Sequence, residues 1–313
     1  MTRISIHKDS SPQHSASTSS TNLPDPVTIL ILGQGWTSDF LLPLLRKNSI
    51  AYAGTTRNGH DNTIPFNFNP SDHEPKDEDF EVLPPADFVL ITFPVKGEEN
   101  LGRLVSMYWE THPEREGEYG KHTKWILLGS TLIWKSPGFN DENSGYDEDN
   151  ERGRAEDGLL YAVDKRAAVL DLAGLYGGQR HPRNWLTRVA KSKEDVKKKG
   201  ALHLVHGEDV ARAILLSMEN WEKVAGERWI LTDGWSYDWW GLFVEWGPHA
   251  RREAEKDNTD MAKELQFEKW VWELLQEEKV RSLPRDKELL GRLMDGRAFW
   301  NAVGSAPSIG RAT

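Results

Sequence analysis

"ILILGQGWTSDF", residues 29–40, is a run of branched aliphatics that breaks at Gly33-Gln34-Gly35 and turns amphipathic immediately afterwards. With Val27 and Thr28 in front of it, this reads as a buried strand, a tight glycine turn and the opening of a helix. The turn has the pattern G-x-G-x-x-S, closing at Ser38. Gly33 permits the tight turn, and Gly35 has no side chain to hold the backbone off a pyrophosphate. The helix beginning near Trp36 points free N–H groups and its positive end at the anion. Ser38 is small enough for the third position, where helix and strand pack closely. Gly33, Gln34, Gly35, Trp36, Thr37 and Ser38 are therefore expected to hold the phosphates of a dinucleotide. The competing reading is a glycine turn that binds nothing.

The rest of the chain repeats the alternation of short apolar strands with helical stretches, the signature of a parallel sheet flanked by helices. Strands are expected at 27–33, 51–57, 64–68, 87–94, 124–131 and 167–177, and again at 228–234. Helices are expected over 40–48, 98–112, 153–164 and 208–221, with charged helical sequence from about 248 to 300. The fold class is α/β, a doubly wound parallel sheet of Rossmann type with a smaller C-terminal substrate lobe and C-terminal helices. The expected division is a disordered leader at 1–26, an NAD(P)-binding core at 27–180, a mixed lobe at 181–300 whose late strands return to the core, and a loose tail at 301–313. The stretches 140–157 and 191–199 are heavily charged and read first as solvated segments.

The end of the second strand indicates which cofactor. An NAD site commonly places Asp or Glu there for the ribose 2′-OH. Here the strand ends Thr55-Thr56-Arg57, and the next acid is Asp61. A guanidinium at Arg57 suits a 2′-phosphate, which it can grip through paired hydrogen bonds. NADP is therefore favoured over NAD, with a surface arginine at a strand end as the competing reading.

Composition narrows the partners. The 313 residues carry 39 Lys plus Arg against 49 Asp plus Glu, a formal charge of −10, which argues against wrapping nucleic acid. No cysteine is present, so disulfides, thiolate metal sites and a cysteine nucleophile are excluded. No apolar stretch reaches the roughly 18 residues of a membrane span. The Ser-, Thr- and Pro-rich beginning has no apolar core, and a cytoplasmic location is the default expectation.

The turn, "TTR", a fourth strand ending "ITFP", then "LLGSTLIW", "RAEDGLL", "LDLAGLYGGQRHP", "LVHGEDVARAI" and "LTDG" follow one another in a recognisable order. Over about residues 27–245 the chain resembles the extended short-chain dehydrogenase/reductase superfamily, in particular its atypical NAD-dependent epimerase/dehydratase-like members. The resemblance implies a Ser–Tyr–Lys catalytic set and, in many members, a homodimer. "GSTLIW" places Ser130 at the family's serine, with Thr131 beside it and Trp134 where a Tyr is usual. Taking the family's glutamate as Glu156, the lysine position holds Arg152 and the tyrosine position Glu148, with Tyr146 two residues out of register. A literal Y-x-x-x-K, Tyr161 to Lys165, comes a full helix too late and reads as a helix C-terminus, with Lys165 answering the dipole. Ser130, Thr131, Glu148 and Tyr146 are thus the catalytic candidates. Arginine cannot cycle protons, whereas a glutamate could if burial raised its pKa.

The resemblance also places Thr92 and Pro94 along the cofactor's ribose, and Arg180 and His181 at the substrate. His206 and Asp209 read as a helix start rather than a metal pair, so no metal is expected. Trp235, Trp239, Trp240 and Trp246 either line an aromatic pocket or pack the C-terminal helices, packing being favoured. Together these point to an NADP-dependent oxidoreductase or epimerase-like enzyme for a small carbonyl- or hydroxyl-bearing metabolite. A cofactor-binding sensor or scaffold without catalysis is the alternative.

Overall fold

A computed structural model describes residues 24–69, 75–112, 123–256 and 266–312. Most of the expected leader, residues 1–23, lies outside the described residues. The strands in chain order are β1 (Val27–Leu32), β2 (Tyr52–Thr56), β3 (Ile64–Pro65), β4 (Ala86–Ile91), β5 (Lys124–Ser130) and β6 (Gly138–Asn140). They continue with β7 (Ala167–Leu172), β8 (Gly174–Tyr176), β9 (Ala201–Leu202), β10 (Leu204–His206), β11 (Arg228–Leu231), β12 (Tyr237–Asp238) and β13 (Arg292–Met294). Seven of them form one parallel sheet in the order β3-β2-β1-β4-β5-β7-β11. The chain works outward from β1 in one direction, then returns and works outward in the other, so the order reverses between β1 and β4. That reversal is the switch point of a doubly wound sheet.

Strand β1 shows why the sheet must be covered on both faces. Ile29 and Ile31 enter one core and Leu30 and Leu32 the other, as side chains of period two require. The first core is closed by α1 (Ser38–Lys47) and the helices Gly207–Glu219 and Arg297–Ala302. The second is closed by α2 (Asp77–Glu81), α3 (Glu98–Thr111) and α4 (Glu151–Ala162). In α1, Leu41 and Leu45 lie on the buried face while Pro43 is exposed, so the N–H that proline lacks is missing from the solvent side. Asp39 in the first turn and Arg46 and Lys47 in the last answer the helix dipole. Helix α4 starts two residues earlier than its apolar pattern indicates, because the Asn150 side chain accepts from the N–H groups of Arg152 and Gly153.

The C-terminal lobe has its own core, built from Trp239, Trp240, Phe243 and Trp246 of the helix Trp239–Lys256 and from Phe267, Val271 and Leu274 of the helix Phe267–Glu277. Three of the four clustered tryptophans therefore pack helices, as favoured above. Trp235 is 50% exposed and stands on a second cavity, of about 560 Å³. The sequence from 248 to 300 is not one helical region: β13 interrupts it and pairs in parallel with β6, bringing Met294 beside Asn140. The expected strand 167–177 is split at Ala173, because β7 stays in the large sheet while β8 pairs with β10.

The segment expected to trail loosely after residue 300 is held down. Asp209 accepts from Ser308 N, Ser308 Oγ and Ile309 N, and Tyr237 Oη accepts from Ala312 N. Among the described residues no helix is long and apolar enough to cross a membrane.

Candidate functional site

At the C-terminal ends of β1, β4, β5 and β7 lies a cleft of about 310 Å³, beside the point where the strand order reverses. Its walls are Gly35, Trp36 and Thr37 of the glycine turn, Thr92 and Pro94 after β4, Leu128 to Ser130 at the end of β5, and Arg152 of α4. Arg180 and the chain after β7 close the far side. Seven of the fifteen residues chosen from the sequence line the cleft: Gly35, Trp36, Thr37, Thr92, Pro94, Ser130 and Arg180.

The turn is fixed by three hydrogen bonds, from Thr55 on one side and Thr92 on the other. Gly33 N–H donates to Thr55 Oγ1 at 3.0 Å, Gln34 N–H donates to Thr55 O at 2.7 Å, and Thr92 Oγ1 donates to Gly33 O. Gly33 has φ +91°, and a Cβ there would stand 2.7 Å from Thr92 Oγ1 and 2.9 Å from the Phe93 ring. Only glycine fits. A Cβ on Gly35 would meet nothing nearer than 3.9 Å, so its backbone is open to the cleft. Among the described residues the backbone N–H groups of Gly35, Trp36 and Thr37 have no hydrogen-bond partner. Three free donors at a helix N-terminus form a cradle that suits a pyrophosphate.

Two residues of the turn serve structure instead. The Gln34 side chain turns away and lies over β2, where a Cβ on Gly54 would fall 2.0 Å from its Oε1. Ser38 is buried against the sheet and its hydroxyl has no partner.

Trp36 closes one rim, donating from Nε1 to Gly177 O at 3.3 Å, with the Arg180 guanidinium stacked 4.3 Å from its ring centroid. Arg57 is exposed immediately after β2, and among the described residues no carboxylate pairs with it. His181 is exposed and lies outside the lining of the cleft.

Of the four catalytic candidates, the structure brings one to the cleft. Ser130 ends β5, and its Oγ accepts from Leu132 N at 3.3 Å, which leaves its own hydrogen free. Thr131 is buried and turned inward, its hydroxyl donating to Leu172 O at 3.3 Å. Glu148 is exposed, away from the lining. Tyr146 lies across α4 at Gly153, where a Cβ would stand 2.4 Å from its ring, and it donates its hydroxyl to Asp157. Burial and that carboxylate push the Tyr146 hydroxyl up to about 12. Tyr161 is 93% exposed near the far end of α4, consistent with the reading that excluded it.

What sequence reasoning passed over lies directly behind the cleft. Arg152, set aside because it cannot cycle protons, reaches the lining and donates from Nη2 to Leu128 O at 2.9 Å. Glu156, one turn further on, is wholly buried, with Arg152 Nε at 3.5 Å and Arg228 Nη1 at 3.4 Å. Asp171 of β7 is buried beside it, 3.8 Å from Arg228 Nε. Both carboxyls crowd the back of Gly129, where a Cβ would fall 2.0 Å from Asp171 Oδ1 and 2.8 Å from Glu156 Oε1. Burial first, and then the charge of Asp171, push Glu156 up to about 9. Burial pushes Asp171 up to about 6 against the pull of Arg228. Besides the family alignment that put Glu156 and Arg152 on motif positions, their i, i+4 spacing was the local signal available, and it sits inside a stretch whose composition reads as solvated.

His206 caps the helix Gly207–Glu219 by accepting from Glu208 N, and Asp209 ties down the C-terminal segment.

Neither a protein-family model nor a curated protein matches the sequence. Solved structures do match in fold. A UDP-N-acetylglucosamine 4-epimerase from Bacillus cereus is 10% identical, with 91% of this chain and 95% of that chain covered and a TM-score of 0.54. A human epimerase family protein solved with NADPH is also 10% identical, over 91% and 96% of the two chains, with a TM-score of 0.54. Vestitone reductase from alfalfa is 15% identical, over 88% and 92%, with a TM-score of 0.53. The chain has the Rossmann fold that these epimerases and reductases share.

Proposed function

We propose that this chain is an NADP-dependent oxidoreductase or epimerase-like enzyme for a small carbonyl- or hydroxyl-bearing metabolite, working without the Tyr-x-x-x-Lys pair. The observation that carries the reading is the cradle: three unpartnered backbone N–H groups at Gly35, Trp36 and Thr37 open onto the cleft that Ser130 lines from the opposite wall. The arrangement matches the phosphates of a dinucleotide in donor type and in the sign of the helix dipole. Arg57, with no acid at the end of β2, selects the 2′-phosphate of NADP, and a neighbour of the same fold is solved with NADPH. A bound nicotinamide would supply or accept the hydride.

Ser130 supplies the hydrogen bond at the reacting oxygen. Its Oγ already accepts from Leu132 N–H, so its hydrogen is directed to a substrate carbonyl or hydroxyl. The proton at that oxygen comes from water entering the open cleft, because Tyr146 is engaged by Asp157 and Glu148 lies outside. One observation favours a second reading, a catalytically inactive NADP-binding sensor or scaffold. Among the described residues no tyrosine lines the cleft.

The first experiment is fluorescence titration of the purified protein with NADPH and NADH, with Arg57→Ala alongside. NADPH binding that weakens about tenfold or more in the variant, with NADH unchanged, supports the cofactor assignment. Binding of neither cofactor refutes it. A panel of aldehydes and ketones then separates the readings, since a sensor binds NADPH without consuming it.

A further inference from the structure

The cleft contains two cations, Arg152 and Arg180, and among the described residues no carboxylate lines it, in a chain with a formal charge of −10. Arg180 is stacked on Trp36 at the rim. Arg152 is held from behind. Its Nη2 donates to Leu128 O, and Glu156 is the one carboxyl within ion-pair distance of it among the described residues. A guanidinium has five N–H donors in a fixed plane, so these two contacts leave donors free for the cleft.

The groups around Glu156 decide whether Arg152 is already neutralised. Glu156 faces Asp171 from β7, Arg228 from β11, and Arg152 and Asp157 on its own helix, with the Tyr146 hydroxyl bound to Asp157 on the outer side. Arg228 is answered by Asp157 at 2.6 Å and has Asp171 nearby. Two buried carboxyls pressed against the back of one glycine do not both ionise near neutral pH, and one keeps a proton. Glu156 is the one that burial and Asp171 raise further. Arg152 is then left facing the cleft beside Ser130 without an ionised partner.

We propose that Arg152 is the anion anchor of the cleft and that the substrate is a carbonyl compound bearing a carboxylate, which Arg152 grips while Ser130 meets the neighbouring oxygen. This rests on the NADP-dependent reading for the reaction, though not for the anion site itself. The phosphates of a dinucleotide are matched at the ends of β1 and β2, by the free N–H groups and Arg57. Arg152 stands on the β5 side, with Ser130. The protonated carboxyl behind it acts as a switch. Once ionised in alkaline solution, Glu156 competes for the guanidinium and the substrate anion loses its partner.

The test uses oxamate and oxamide, a carboxylate and its neutral counterpart, titrated by calorimetry into protein saturated with NADPH at about pH 7. Oxamate is expected to bind about tenfold or more tightly than oxamide, the scale of one charge-assisted contact. Arg152→Gln should lose that preference and keep its NADPH affinity. Arg152→Lys, which retains the charge without the planar fork, should restore part of it. No preference for oxamate in the unmodified protein overturns the proposal. So does a preference that survives Arg152→Gln, or a loss in that variant that falls on NADPH instead. If NADPH does not bind at all, the cofactor reading falls separately. The same two compounds on the free protein, with and without Arg152→Gln, then decide the anion site by the same criterion. For the switch, oxamate affinity should decline above about pH 9 in the unmodified protein and hold in Glu156→Gln. A parallel decline in both overturns the part assigned to Glu156.

Discussion

Glu156→Gln exchanges a wholly buried carboxyl for a neutral amide of nearly the same shape, in contact with the same two guanidinium groups. Glu156 is raised from 4.5 to about 9, chiefly by burial and then by Asp171. Between those two values the folded chain holds a proton that the unfolded chain has released. The stabilisation is complete below the unfolded value and is lost progressively as pH climbs towards the folded one. The slope is about 1.4 kcal/mol per pH unit for one such group. Glutamine titrates nothing, so the stability of the variant relative to the parent should rise by that slope. Asp171, pushed up to about 6, completes its titration in the lower part of the useful window and is present in both proteins. From about pH 6 to about pH 8 the gap should widen by about 3 kcal/mol in favour of the variant. Urea unfolding at several pH values, with an unchanged dependence on denaturant, measures it. A gap that is negative and flat with pH refutes the reasoning. It would mean that Glu156 is ionised between Arg228 and Arg152, and that its loss strands a buried guanidinium at a cost of about 3–5 kcal/mol.

Gly33→Ala should abolish NADPH binding and lower thermal stability by about 1–3 kcal/mol, from the unfavourable φ and the contact with Thr92; normal cofactor titration would show that the turn tolerates a side chain. Asp238→Asn should cost about 3–5 kcal/mol by denaturant unfolding. Asp238 takes three donors of the buried Arg285, its Nε, Nη2 and backbone N. A loss below about 1 kcal/mol would place this pair among weak surface bridges. Tyr146→Phe should leave NADPH binding and any turnover unchanged, with about 1 kcal/mol of stability lost with the bond to Asp157. A large drop in turnover would return Tyr146 to the chemistry.

The parts of the site that were legible in the sequence are those written locally. Strand, turn and helix at 27–47 are contiguous, and each states its requirement through a neighbour: branched residues for the strand, glycines for the turn, Leu41 and Leu45 for the helix face. Ser130 was indicated by the family resemblance of "GSTLIW", and it ends a strand at the edge where ligands bind in such folds. Tyr146 and Glu148 were misplaced because proximity in sequence to α4 does not say on which side of that helix a side chain falls. Glu156 was hidden by composition. Its charged neighbours in 140–157 are at least partly exposed, and its burial comes from the packing of α4 on the sheet with Asp171 and Arg228, from other strands.

The basic run at 191–199 was read in the same way, and part of it docks instead: Lys193 pairs with Glu273 and Glu277, and Lys197 with Glu278. The pairing of β6 with β13 joins residues more than 150 positions apart, and no local pattern announces it.

That pairing bears on the order in which the molecule can be finished. Arg292 donates to the carbonyl oxygens of Thr131 and Trp134, the turn that carries the chain away from Ser130. The wall of the cleft is thus buttressed by residues that leave the ribosome long after the sheet they support. A nascent chain carrying β1 to β7 can assemble most of the parallel sheet and the phosphate turn, but it must wait for residues around 292 to brace Ser130. Contacts so distant in sequence form late and slowly. A chain arrested before that point would have its glycine turn in place before the wall that carries Ser130 was braced.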